Sequence, residues 1–179
     1  GNMLMFERFN FDVILRERND VTPLVVMMCG VAGSGKTTFS QLLETEGFVR
    51  LSIDEEIWAT NGRWGIDFPM DKFEEYRKDA ERKLRNRLIK LVHDKQQEVI
   101  DFSFWDRVRR NQYKKLIEDS GGKWKLIYLK VHPNDLRERL KLRNKSFDAN
   151  SFPISEELLT SYINGFEVPK GEGEIVIEN

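Results

Sequence analysis

Apolar and polar positions change their spacing several times along the chain, and each change marks an element. Residues Leu24–Cys29 run Leu-Val-Val-Met-Met-Cys without a polar interruption, the pattern of a central strand covered on both faces. Pro23 breaks the chain just before it. Residues 37–46 carry Phe39, Leu42 and Leu43 at helical spacing, and Gly47 suits the end of that helix. Residues 48–53 predict a second strand, closing at Asp54. Residues 54–69 interleave Trp58, Trp64 and Phe68 with Asn61, Gly62, Arg63 and Gly65, which predicts an irregular, shaped surface rather than a packed element. Asp71 suits the N-cap of a long helix. Phe73, Tyr76, Ala80, Leu84, Leu88 and Leu91 give that helix one apolar stripe, and its charged faces read as solvated.

The second half repeats the alternation. Residues 98–102 predict a third strand with Asp101 near its C-terminal end. Residues Arg107–Asp119 predict a helix stopped by Gly121 and Gly122, and residues 124–131 a fourth strand. Pro133 leads into a basic helix over 136–143. A polar loop, 144–153, then precedes a helix over 155–166 capped by Ser155, and a short last strand covers 174–177. Residues 3–22 fit neither period, although they hold Phe6, Phe9, Phe11, Val13, Ile14 and Leu15. Residues 3–23 are therefore expected to be an N-terminal extension packed on the core, with room for a short helix. Five strands alternating with helices predict an α/β fold: a five-stranded, mostly parallel sheet between two helical layers. Such sheets bind ligands at the carboxyl ends of their strands. That rule puts the loop after Cys29, Asp54 and Asp101 on one rim.

Composition changes this picture little. A chain of 179 residues suffices for one domain with a substantial core. Charged residues make up 33% and the net charge is −1, so nothing draws the whole molecule toward nucleic acid or an anionic membrane. The one cysteine, Cys29, has no disulfide partner within the chain and reads as a small buried residue. No stretch has transmembrane length and no secretory leader is read, so the cytoplasm is the expected compartment.

The chemistry concentrates in Gly30, Val31, Ala32, Gly33, Ser34, Gly35, Lys36, Thr37 and Thr38. Residues 30–37 fill the spacing G-x-x-x-x-G-K-[ST] between a strand and a helix. In that setting, unpaired backbone N–H groups and the positive helix end make a seat for phosphate. Lys36 is placed to reach the β- and γ-phosphates of a nucleotide, and the Thr37 hydroxyl to ligate Mg2+. Asp54 reads in two ways: a base that takes the proton of an acceptor hydroxyl, or the N-cap of a following helix. Asp101 reads as the carboxylate that holds magnesium, or as a strand-end aspartate satisfied by backbone N–H groups. Arg137, Arg139 and Arg143 could close over bound nucleotide, or form a solvated face paired with Asp135 and Glu138. Trp58, Trp64, Phe68, Phe102, Phe104 and Trp105 offer an apolar acceptor pocket, or ordinary core and lid packing. Arg107 could hold substrate or phosphate, or be a surface charge opening a helix.

Taken together, these segments carry a resemblance. The loop at 30–38, Leu-Ser-Ile-Asp at 51–54, Val-Ile-Asp-Phe-Ser-Phe-Trp-Asp-Arg at 99–107, Leu-Arg-Glu-Arg-Leu-Lys-Leu-Arg-Asn at 136–144 and Phe-Glu-Val-Pro at 166–169 resemble the small AAA-type P-loop kinases. That group is related to polynucleotide 5′-kinase, chloramphenicol phosphotransferase, gluconate kinase and the zeta-toxin kinases. The resemblance covers residue 24 to the C-terminus. It implies a three-layer P-loop NTPase fold over 24–179, with a small helical lid around 137–153. It also implies ATP- and Mg2+-dependent phosphorylation of a hydroxyl, with Asp54 at the position of the acceptor-activating aspartate. Arg139 and Arg143 fall in the lid region, and residues 166–169 fall where such proteins line the adenine side. Glu55 and Glu56 stand where a second acidic residue, in the form Asp-x-Asp, is expected. A small-molecule kinase is the leading expectation. A polynucleotide 5′-hydroxyl kinase is the second, disfavoured by the near-neutral charge, and a nucleotide-binding regulatory module without transfer is the third.

Overall fold

The computed structural model describes residues 5–143 and 155–179, the side chains of residues 5–9 and of Arg143 excepted. The predicted loop at 144–153, and with it part of the expected lid, lies outside the described residues. The chain opens with helix α1 (Met5–Arg16) and strand β1 (Leu24–Cys29). Helix α2 (Lys36–Thr45), strand β2 (Val49–Leu51), helix α3 (Ile53–Asn61) and the long helix α4 (Phe73–His93) follow. Strand β3 (Glu98–Ile100), helix α5 (Arg107–Asp119) and strand β4 (Lys123–Lys130) come next. Helices α6 (Pro133–Arg143) and α7 (Glu156–Gly165) then lead to strand β5 (Glu174–Glu178). The sheet order is β2-β3-β1-β4-β5, and every neighbouring pair is parallel.

The uninterrupted apolar run of β1 has a direct cause. Successive strand side chains point to opposite faces, and both faces are covered. Val25, Met27 and Cys29 pack with Leu84, Leu88 and Val92 of α4 and with Tyr113 and Ile117 of α5. Leu24, Val26 and Met28 pack with Phe39 and Leu43 of α2 and with Phe11 and Ile14 of α1. Full burial of each such side chain contributes roughly 1.5–3 kcal/mol, so a polar residue on either face would be costly. In the hard-to-read N-terminal segment, Phe11 meets Phe39 edge-on at 5.7 Å between ring centres. No helix among the described residues is long and apolar enough to cross a membrane.

Three expectations need correction. The strand expected at 48–53 ends at Leu51, because the Ser52 side chain accepts a hydrogen bond from the Glu55 N–H and starts α3. Residues 54–69 are therefore not irregular throughout: α3 buries Ile57, which packs with Phe68, Ala80, Trp64, Phe73 and Tyr76. Asp71 does not cap α4; it lies within a 3-10 turn, Met70–Lys72, that runs straight into the helix without a side-chain cap.

Candidate active site

Strand β1 gives way to α2 through residues 30–35. Gly33 and Gly35 have φ of +83° and +100°, values that L side chains rarely adopt. Gly35 is the cap residue of α2, and a Cβ on it would lie 2.5 Å from Nδ2 of Asn179. The loop thus turns tightly enough to open α2 directly beneath it, with the positive helix end facing the loop. Lys36, the first residue of α2, arches back over this turn. Its Nζ donates to the carbonyls of Gly30 at 2.8 Å and Val31 at 3.1 Å. Val31 and Ala32 pack against Leu136 and Leu140 of α6 and Leu159 of α7. The buried Ser34 lies within the turn, and Thr38 is exposed on α2.

Asp101 follows β3 immediately, and its backbone N–H donates to the Leu51 carbonyl at the end of β2. Its side chain is only 4% exposed. The Thr37 hydroxyl donates to Oδ2 of Asp101 at 3.2 Å. Arg50 of β2 donates to the same oxygen through Nε at 3.0 Å and Nη2 at 2.6 Å. Burial works against the Arg50 charge, but the adjoining Asp101 carboxylate more than offsets it and holds the guanidinium above its usual range. A hydroxyl and a carboxylate in direct contact beside a phosphate loop are hard oxygen donors of the kind Mg2+ takes. The residues present therefore fit that ion. Arg50 was not singled out from the sequence. The available signal was a charged residue inside a short, otherwise apolar strand.

Asp54 lies in the first turn of α3, the helix that follows β2. The N-cap role belongs to Ser52, not to Asp54. Tyr162 of α7, also not singled out, has its phenol pushed up first by burial and then by the negative charge of Asp54. It packs against the cluster of Leu136, Leu140 and Leu159 that Val31 and Ala32 of the loop also touch, and meets the Trp105 ring edge-on at 6.4 Å. Loop and α7 thus share one apolar cluster, and Tyr162 brings α7 within electrostatic reach of Asp54.

Arg139 of α6 donates to the Gly33 carbonyl at 3.2 Å and to the Asn179 carbonyl. The Asn179 side chain in turn donates to the Ser34 carbonyl at 2.9 Å. Arg137 faces Asn134 and Glu156 at the surface. Arg143 is the last residue of α6, and its side chain lies outside the described residues.

The proposed aromatic wall divides. Phe102 is a core ring, 4% exposed, packed with Phe104 and Tyr113; it offers no surface to a substrate. Trp64 packs on Phe73 at 5.3 Å, between α3 and α4. Trp58 is half-buried on α3. Trp105, 42% exposed, keeps an open face. Arg107 holds the segment before β5: its Nη2 donates to the Lys170 carbonyl at 2.7 Å, and its N–H to Glu167 at 2.6 Å. In the same segment Phe166 stacks on Tyr128 at 5.7 Å, and the Glu167 N–H donates to the Trp105 carbonyl at 2.7 Å. Phe104 has φ of +50°, unusual for a bulky residue. Its carbonyl accepts from Arg110 at 2.6 Å and from the Cys29 thiol at 3.4 Å.

A family model described as an AAA domain matches residues 25–169. No curated protein sequence matches the chain. Among solved structures, a candidate kinase from Chloroflexus aurantiacus superposes with a TM-score of 0.72, at 18% identity over 89% of this chain and 87% of that one. A chain of the Pnkp1/Rnl/Hen1 RNA repair complex gives a TM-score of 0.67 at 16% identity, over 84% of this chain but 46% of that one. A sugar kinase from Janibacter sp. gives 0.58 at 24% identity, over 88% and 85%. At these identities the likeness is one of fold. The matched model spans most of the sequence, including the phosphate loop, Asp54, Asp101 and α6, and so the chain belongs to the AAA domain family and has the fold of the small P-loop kinases.

Proposed function

We propose that the protein is an ATP-dependent phosphotransferase that moves the γ-phosphoryl group of ATP to a hydroxyl of a small molecule. The observation that carries this reading is the meeting of Thr37 with Asp101 at 3.2 Å beside a loop arched over by Lys36. A structural turn alone does not explain why Asp101, 64 residues from Thr37, meets the loop there.

In this reading the loop N–H groups and the start of α2 seat the phosphates. Lys36 exchanges its contacts with the Gly30 and Val31 carbonyls for β- and γ-phosphate oxygens. Thr37 and Asp101 hold Mg2+, which supplies neutralising charge to the phosphates when bound. Asp54 accepts the proton of the acceptor hydroxyl as that oxygen bonds to the γ-phosphorus. The bond from the γ-phosphorus to the bridging oxygen breaks, and ADP leaves. Residues 24–179 act as one unit, with a lid around 137–153 whose described part is the C-terminal portion of α6. Within it Arg139 ties α6 to the loop, and Arg143 is the candidate to meet transferred charge. Trp105 and Tyr162 face the acceptor side. Trp58 and Arg107 are secondary candidates there, whereas Trp64 and Phe102 serve packing.

The test is a screen of hydroxyl-bearing metabolites, antibiotics and 5′-hydroxyl oligonucleotides for transfer of labelled γ-phosphate. With the acceptor found, Asp54→Asn is expected to lower kcat by about 10²–10⁴-fold, the usual worth of a positioned base, while ATP affinity stays nearly intact. Lys36→Ala is expected to lose ATP binding or turnover. Equal turnover in wild type and Asp54→Asn rejects Asp54 as the base. Steeply salt-dependent oligonucleotide binding, with transfer to 5′ ends, selects the polynucleotide reading instead. Nucleotide binding without transfer to any acceptor selects the regulatory one.

A further inference from the structure

Arg50 is the one charged residue of β2, between half-buried Val49 and buried Leu51. Its side chain is 7% exposed, yet its guanidinium reaches the rim where β2 and β3 end. Two of its nitrogens share Oδ2 of Asp101, at 3.0 and 2.6 Å, with the Thr37 hydroxyl at 3.2 Å. A third lies 3.5 Å from Oε1 of Glu55, whose side chain is 45% exposed. One carboxylate oxygen is therefore gripped from two sides, by the first turn of α2 and by the neighbouring strand β2.

The first consequence is orientation. A planar guanidinium forking onto a carboxylate fixes its direction better than a single flexible donor does. Asp101 is held against Thr37 by the protein alone. The second consequence is charge. Arg50 offsets the Asp101 carboxylate, and Thr37 is neutral, while Glu55, the other carboxylate on Arg50, is 45% exposed and screened by water. The pair then presents little net negative charge to a divalent ion until phosphate oxygens bring more. An approaching cation also meets a fixed positive charge a few ångströms away, in a site where water screens poorly.

We propose that Arg50 is a positioning residue that holds Asp101 on Thr37 and makes divalent-cation binding at that pair conditional on nucleotide phosphates. The proposal rests on the phosphotransferase reading of the site. It predicts an order of events: the cation arrives with the nucleotide and does not wait in the site.

Mn2+, detected by electron paramagnetic resonance, serves as the probe, titrated into the full chain with and without ADP. Wild type is expected to bind Mn2+ alone at least about tenfold more weakly than in the presence of ADP. Arg50→Gln, which removes the fixed charge, is expected to bind Mn2+ alone about tenfold more tightly than wild type. Arg50→Lys keeps the charge and should exclude Mn2+ as wild type does. Adding Asp101→Asn to Arg50→Gln should abolish the gain. An Arg50→Gln protein that binds Mn2+ no better than wild type overturns the proposal. So does a wild type that holds Mn2+ equally with and without ADP, a result that stands even where Arg50→Gln fails to fold. Absence of any ADP binding rejects the nucleotide site itself; the comparison of variants without nucleotide still decides the role of Arg50.

Discussion

Glu98 is fully buried at the start of β3, and among the described residues neither of its carboxylate oxygens has a hydrogen-bond partner. Burial pushes its pKa up to about 9, against a smaller opposing pull from Arg87 of α4. The folded chain therefore keeps a proton that the unfolded chain releases near the ordinary 4.5. Between these limits the native state binds more protons than the unfolded state, so each rise in pH favours unfolding. Stability is expected to fall as pH rises from 5 toward about 9, and to level off above it. In Glu98→Gln that slope should largely disappear. Denaturant midpoints at several pH values across the window check this; an unchanged slope in the variant would reject Glu98 as its source. Arg50 is the opposite case, a buried charge satisfied by a partner on the neighbouring strand.

Helix α3 owes its start to one hydroxyl. Ser52 is buried and accepts from the Glu55 N–H at 3.2 Å, and the first turn that it caps carries Asp54. Ser52→Ala is expected to cost about 1 kcal/mol, which for a domain of this size lowers Tm by about 2–4 °C. If Asp54 is the base, misplacing the first turn of α3 should also lower kcat more than it changes ATP affinity. Calorimetry and steady-state kinetics on the same variant separate the two effects. Helix α2 is set by its backbone instead. Gly35→Ala would force a Cβ at φ +100° to within 2.5 Å of the Asn179 amide. Loss of stability and of nucleotide affinity together is the expected result, read by thermal melts with and without ATP.

Across the whole molecule, two ion pairs converge on Glu172 and join α5 to the segment before β5: Arg107 at 3.5 Å and the buried Arg110. Arg110, fully buried, donates through Nε and Nη2 to the two Glu172 oxygens at 2.8 and 2.9 Å. Its Nη1 holds the Phe104 carbonyl, and Lys114 donates to the Glu172 carbonyl at 2.6 Å. The left-handed Phe104 and the chain beside the phosphate loop are braced from below in this way. Glu172→Ala leaves a guanidinium buried without its carboxylate, and a loss of about 3–5 kcal/mol is expected. Urea unfolding measures it; a change below 1 kcal/mol would mean that water replaces the carboxylate at little cost.

Much of this was readable along the chain. An apolar run without alternation means two covered faces, glycines at 33 and 35 mean a turn that side chains resist, and helix periodicity needs only neighbours three or four residues apart. Those signals are short-ranged, so sequence alone determined the alternation of elements, the parallel sheet and the phosphate loop. Which side chains meet across the sheet is a different matter. Arg50 and Asp101 are 51 residues apart and touch because β2 lies beside β3; Arg110 and Glu172 are 62 apart and meet because α5 packs where the chain turns into β5. Phe102 and Trp105 are both aromatic neighbours of the site in sequence, yet one ring turns into the core and the other keeps an open face. Pairing of distant charges and the burial of a given ring depend on strand order and on the layer above. Only the tertiary structure decided them, since no local spacing encodes what will pack on the other side.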